Sequence, residues 1–79
     1  MVYTKFALID TKPAKESEVY KILNEDNRVT EIQPIFGEYD LIVKCEGPNE
    51  TDLLAFVNGI EDLKGVEKIK KLSGITPSS

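Results

Sequence analysis

The chain has 79 residues, which bounds it to one domain. Hydrophobic residues make up 41% and charged residues 30%, a globular rather than a disordered balance. The net charge of -4 disfavours nucleic-acid binding, which rests mostly on neutralising phosphates.

Histidine is absent, which removes the commonest metal ligand and the commonest acid–base group near neutral pH. The single cysteine, Cys45, excludes an internal disulfide and fits a cytoplasmic protein. No apolar run approaches the ~18 residues of a membrane span. Met1 to Lys5 leads straight into a strand-like pattern rather than a signal peptide. A domain of this size buries roughly 60–65% of the surface its unfolded chain exposes, so self-association would widen a thin stability margin.

Val2 to Asp10 reads as a strand. Val2, Thr4, Phe6 and Leu8 share one face; Tyr3, Lys5, Ala7 and Ile9 share the other. Both faces are partly apolar, which predicts a central strand. Thr11-Lys12-Pro13 breaks it. A helix is expected from Ala14 or Lys15 to Asp26, with Val19, Ile22 and Leu23 as its narrow apolar stripe.

Val29 to Phe36 reads as a second strand, and Pro34 assigns it to an edge because proline cannot donate a ladder hydrogen bond. Gly37-Glu38 is expected to form a tight turn. Tyr39 to Glu46 is a third, central strand with Leu41, Val43 and Cys45 on one face. After Gly47-Pro48, Asn49 is a suitable N-cap, with Glu50 and Asp52 in the first helical turn. Leu53, Phe56, Val57, Ile60 and Leu63 form the stripe of a second helix, which Gly65 is expected to cap. Val66 to Ser73 is a fourth strand whose lysines, Lys68, Lys70 and Lys71, suit an edge. Lys64 adds to this cluster, which reads as protection against sheet aggregation rather than as a nucleic-acid contact.

The order β-α-β-β-α-β, with right-handed crossovers, predicts an α+β ferredoxin-like fold. A four-stranded antiparallel sheet would carry both helices on one face, with strands one and three central. The domain is expected to occupy residues 1–75, with 76–79 as a flexible tail. The uncovered sheet face retains apolar side chains whichever register holds. A contiguous apolar patch on a soluble protein marks an interaction site, so a homodimer with sheets packed face to face is expected.

Asp40 follows Gly37 by three residues, at the start of the third strand. A carboxylate there can accept hydrogen bonds from backbone N–H groups of the turn. It can also pair with a ligand's ammonium group while free turn amides hold an anion. Spacing favours the structural role of the two.

The stretch Ile35-Phe36-Gly37-Glu38-Tyr39-Asp40-Leu41-Ile42-Val43-Lys44 resembles the turn and third strand of the effector-binding domain of the Lrp/AsnC family of transcription regulators. Ala7-Leu8-Ile9 before Lys12-Pro13 is similar to that domain's first strand, and Leu63-Lys64-Gly65-Val66 to its last helix–strand junction. The resemblance covers nearly the whole chain. It implies the same βαββαβ fold and a stand-alone module without the helix-turn-helix half. It further implies dimers through the sheets, higher assemblies such as tetramers of dimers, and no direct DNA or membrane contact. Small effectors, typically amino acids, would bind between dimers near Gly37, Glu38, Tyr39 and Asp40. The family's last-strand threonines are replaced here by Ile69 and Lys71, a departure that bears on which effector fits.

An enzyme is the rival reading. It lacks support from the sequence: Cys45 falls inside a strand, where a buried structural role is favoured. Glu25-Asp26 and Glu61-Asp62 read as solvated helix ends. No phosphate loop, metal-ligand cluster or cofactor motif is present in the sequence. A pure assembly partner, forming mixed oligomers with helix-turn-helix homologues, is the other alternative.

Overall fold

The structure is a computed structural model and describes residues 2–72. Its elements run β1 (Tyr3–Thr11), α1 (Glu16–Asn24), β2 (Val29–Pro34), β3 (Leu41–Gly47), α2 (Glu50–Ile60) and β4 (Val66–Leu72). The strands form one antiparallel sheet in the order β2-β3-β1-β4. This is the expected ferredoxin-like arrangement, with β1 and β3 central. Met1, the last residue of the expected fourth strand and residues 74–79, which include the expected tail 76–79, lie outside the described residues.

Period-two alternation fixes which side of each strand meets the helices. Ala7 and Ile9 of β1 and Leu41, Val43 and Cys45 of β3 are fully or almost fully buried. They pack with Ile32 of β2, Val19 and Leu23 of α1, and Leu53, Val57 and Ile60 of α2 in one continuous core. The alternate residues therefore face away from the helices. Register places Phe6 beside Leu72 and Leu8 beside Ile42, so these apolar side chains share the open face. All four are half-buried rather than sealed.

The helices are shorter than their sequence patterns predict. Ala14 adopts φ 65, a left-handed conformation that no α-helix continues through, so α1 starts at Glu16. At the far end the Asp26 carboxylate accepts hydrogen bonds from the Arg28 backbone N–H at 2.9 Å and from its guanidinium at 3.0 Å. That local ring ends the helix and starts β2. Asn49 caps α2 as expected, its Oδ1 accepting from the Asp52 N–H at 3.0 Å.

Gly65 does not cap α2, which ends at Ile60. It holds φ +100 in the turn before β4, where α1 crosses it. A Cβ there would lie 3.0 Å from Val19 Cγ2 and 3.1 Å from Lys15 Cβ. The glycine permits both the turn and the close approach of α1. Among the described residues, no helix is long and apolar enough to cross a membrane.

Candidate functional site

The β2–β3 connection is wider than the expected tight turn. The Ile35 N–H donates to the Asp40 carbonyl at 2.9 Å, enclosing Phe36, Gly37, Glu38 and Tyr39 in a four-residue loop. Gly37 holds φ +119 inside it, a conformation that favours glycine. Open space surrounds it: nothing lies within 4 Å of where its Cβ would be. Phe36 and Glu38 are exposed, and Tyr39 is half-buried.

Asp40 binds the end of β1 instead of the turn amides. Its Oδ2 accepts from both the backbone N–H and the hydroxyl of Thr11, each at 2.8 Å. Its own N–H donates to the Ile9 carbonyl at 2.8 Å. The loop is thus fastened to β1 at its last residue. The expectation of hydrogen bonds from the turn N–H groups is corrected here. Antiparallel pairing brings the end of β1, rather than the far side of the loop, within reach of that carboxylate.

The Thr11 backbone N–H and hydroxyl hold the Asp40 carboxyl below the usual carboxylate range. Asp10, on the neighbouring strand, moves the other way. Desolvation first, and then the facing Asp40 carboxylate, raise it above its ordinary value. Lys68 stands opposite Asp10 in the β1–β4 register and partly offsets this charge. The Lys68 ammonium lies 5.4 Å from the centre of the Tyr39 ring, within the range of a cation–π contact. A polar concavity of about 510 Å³ opens beside Asp40, lined by Asp10, Thr11, Lys12, Pro13, Ala14, Glu16 and Ser17.

Within one chain, Ile69 and Lys71 do not join this group. Ile69 pairs with Ile9 and packs against the core on the helix side. Lys71 also faces the helices, where its ammonium donates to Asn58 Oδ1 of α2 at 2.6 Å. The residues the sequence reading missed are Asp10, Thr11 and Lys68. The signal was present: in a ferredoxin-like sheet the last residues of β1 must pair beside the first residues of β3.

A second, larger groove of about 700 Å³ lies elsewhere, between the α1–β2 turn and α2. It runs over Leu53, Phe56, Ile60 and Leu63, and the Arg28 guanidinium sits 4.1 Å from the centre of the Phe56 ring. Among the described residues, no three His, Cys, Asp or Glu side chains are grouped to hold a metal ion.

No family model matches the chain. The crystal structure of FFRP-DM1 superposes on it with a TM-score of 0.84 at 36% identity, covering 91% of this chain and 96% of that one. Escherichia coli AsnC superposes with a TM-score of 0.75 at 25% identity, covering 96% of this chain and 52% of that one. In sequence, the HTH-type transcriptional regulator FL11 of Pyrococcus furiosus is 34% identical over 62 residues. The chain belongs to the Lrp/AsnC family. Another relative, an uncharacterized HTH-type transcriptional regulator of Pyrococcus horikoshii, is 38% identical over 60 residues, 76% of this chain. This Lrp/AsnC module spans only about two fifths of these curated relatives, 40% of the Pyrococcus horikoshii protein and 41% of FL11. Both relatives are named as transcriptional regulators.

Proposed function

We propose that this Lrp/AsnC module binds a small effector, an amino acid, at the loop Gly37-Glu38-Tyr39-Asp40, and does so where copies of the module meet. The observation that carries this reading is the double hydrogen bond from Thr11 to Asp40. It keeps a carboxylate ionised and oriented at the rim of a polar concavity. An ammonium group could pair with that carboxylate and with Asp10, while Lys68 offers a partner for a ligand carboxylate. Ile69 and Lys71 face the helix side of β4 and would enter such a site only from another copy. The likeness of the Gly37–Asp40 stretch to the family's effector turn supports the same location.

Self-association through the open sheet face belongs to this reading. Phe6, Leu8, Ile42 and Leu72 give that face an apolar centre, as expected of a surface that another sheet covers. The same face favours a second reading, in which the module acts by mixed assembly with helix-turn-helix homologues and binds no effector.

Thermal melting with each of the twenty amino acids separates the two. A rise in melting temperature for one of them, reduced in Asp40→Asn, supports effector binding. Asparagine keeps an acceptor for Thr11 and removes the charge, so loss of fold does not confuse the result. Unchanged melting at millimolar ligand, with retained capture of a helix-turn-helix homologue, favours assembly alone.

A further inference from the structure

Phe36 is fully exposed to solvent. Its relative exposure is 104%, against 43% to 63% for the other exposed large apolar residues Val2, Ile22 and Leu54 among those described. A bare phenylalanine beside a left-handed glycine costs solubility without any return in the folded monomer. The same chain has a hollow of aromatic size. On the open face, Phe6 and Ile42 floor a dimple of about 140 Å³ rimmed by Glu31, Gln33 and Lys44. An apolar cavity of about 150 Å³ accepts benzene, so the dimple matches a phenyl ring in volume.

The charges around it select the occupant. Glu31 and Lys44 stand opposite each other across β2 and β3. A two-fold axis lying between two facing sheets and parallel to them makes every contact reciprocal, so Glu31 of one copy can meet Lys44 of its partner, and the reverse. By register, Asp10, Glu31 and Glu46 on the open face are balanced by Lys44, Lys68 and Lys70. The residues that register pairs place on this face balance in charge, Glu67 at the β1–β4 bulge aside, although the whole chain carries -4. Such a face suits a second copy of itself better than an acidic or a basic partner.

We propose that Phe36 is the anchor of the contact between two copies, each inserting its phenyl ring into the Phe6–Ile42 dimple of the other. The proposal rests on the reading that a second copy covers the open face, and it names the residue on which that contact depends. Reciprocity follows from two-fold symmetry, and a buried aromatic at an interface centre carries a large share of the binding energy.

The test uses the full chain in two forms. Sedimentation equilibrium compares wild type with Phe36→Ala, which removes a fully exposed side chain and should keep its melting profile as a dilute monomer. A benzophenone-bearing phenylalanine in place of Phe36 is irradiated, and the adducts are mapped by mass spectrometry. The expected result is a wild-type dimer whose dissociation constant rises about tenfold or more in Phe36→Ala. Adducts of dimer mass should fall on the peptides holding Phe6 or Ile42. A wild-type dimer with Phe36→Ala unchanged, or with adducts mapped to another surface, overturns the anchor and leaves face-to-face dimerisation standing. A wild-type monomer across the micromolar range overturns both.

Discussion

Thr11 donates two hydrogen bonds to one oxygen of Asp40, from its backbone N–H and from its hydroxyl, both at 2.8 Å. One bond reports strand geometry and the other reports side-chain chemistry, so they are separable by mutation. Thr11→Val removes the hydroxyl and keeps the N–H. It should destabilise the fold by about 1 kcal/mol, the net worth of a partly exposed hydrogen bond to a charged group after solvent screening. Thr11→Ser should restore most of the loss in urea denaturation.

The same pair sets a pH dependence with a definite sign. Asp40 is held below its ordinary value of 3.8 in the folded state. Its contribution to stability is therefore complete above that value and lost as pH falls through the lower, folded one. Denaturation midpoints followed downward from pH 5 should drop less steeply in Asp40→Asn than in wild type.

Asp10 works in the opposite direction. Its folded pKa is raised, by desolvation first and by Asp40 next, so its ionised form opposes folding at neutral pH. Asp10→Asn should raise the melting temperature at pH 7. The gain should shrink as pH falls through the raised folded pKa, where wild-type Asp10 takes up its proton.

Two glycines with positive φ should respond differently to alanine. Gly65→Ala meets both backbone strain and the side chains of Val19 and Lys15 at 3.0 and 3.1 Å. Gly37→Ala meets strain alone, with open space around it. Chemical denaturation should show a loss of about 1 kcal/mol for Gly37→Ala and clearly more for Gly65→Ala.

Cys45 is fully buried, and burial pushes its thiol up to about 11. At pH 8 it should react with an aromatic disulfide reagent only when the fold opens. Its labelling rate should rise in step with the loss of stability in Gly65→Ala. Fast labelling of native wild type would contradict its place between β3 and the helices.

The fold was legible because its patterns are local. Alternation in β1 and β3, the Asn49 cap and the Pro34 edge signal each follow from residue type and spacing. The sequence pattern overextends α1 because Ala14 gives no sign of its left-handed backbone. It makes Gly65 look like a helix cap because the real constraint there, the crossing of α1, is a tertiary contact. In the site, Gly37 and Asp40 stood out by their spacing. Asp10, Thr11 and Lys68 did not, because only pairing with β1 and β4 brings them near the loop. The open face could not be assigned until register placed Phe6, Leu8 and Ile42 on it.

The most direct measurement is an amide and side-chain NMR titration of the wild-type chain with the amino acid that gives the largest thermal shift. The account predicts saturable changes at Gly37, Tyr39, Asp40, Asp10, Thr11 and Lys68. Changes centred on Arg28 and Phe56 in the larger groove would contradict it. So would unperturbed spectra with every amino acid at millimolar concentration.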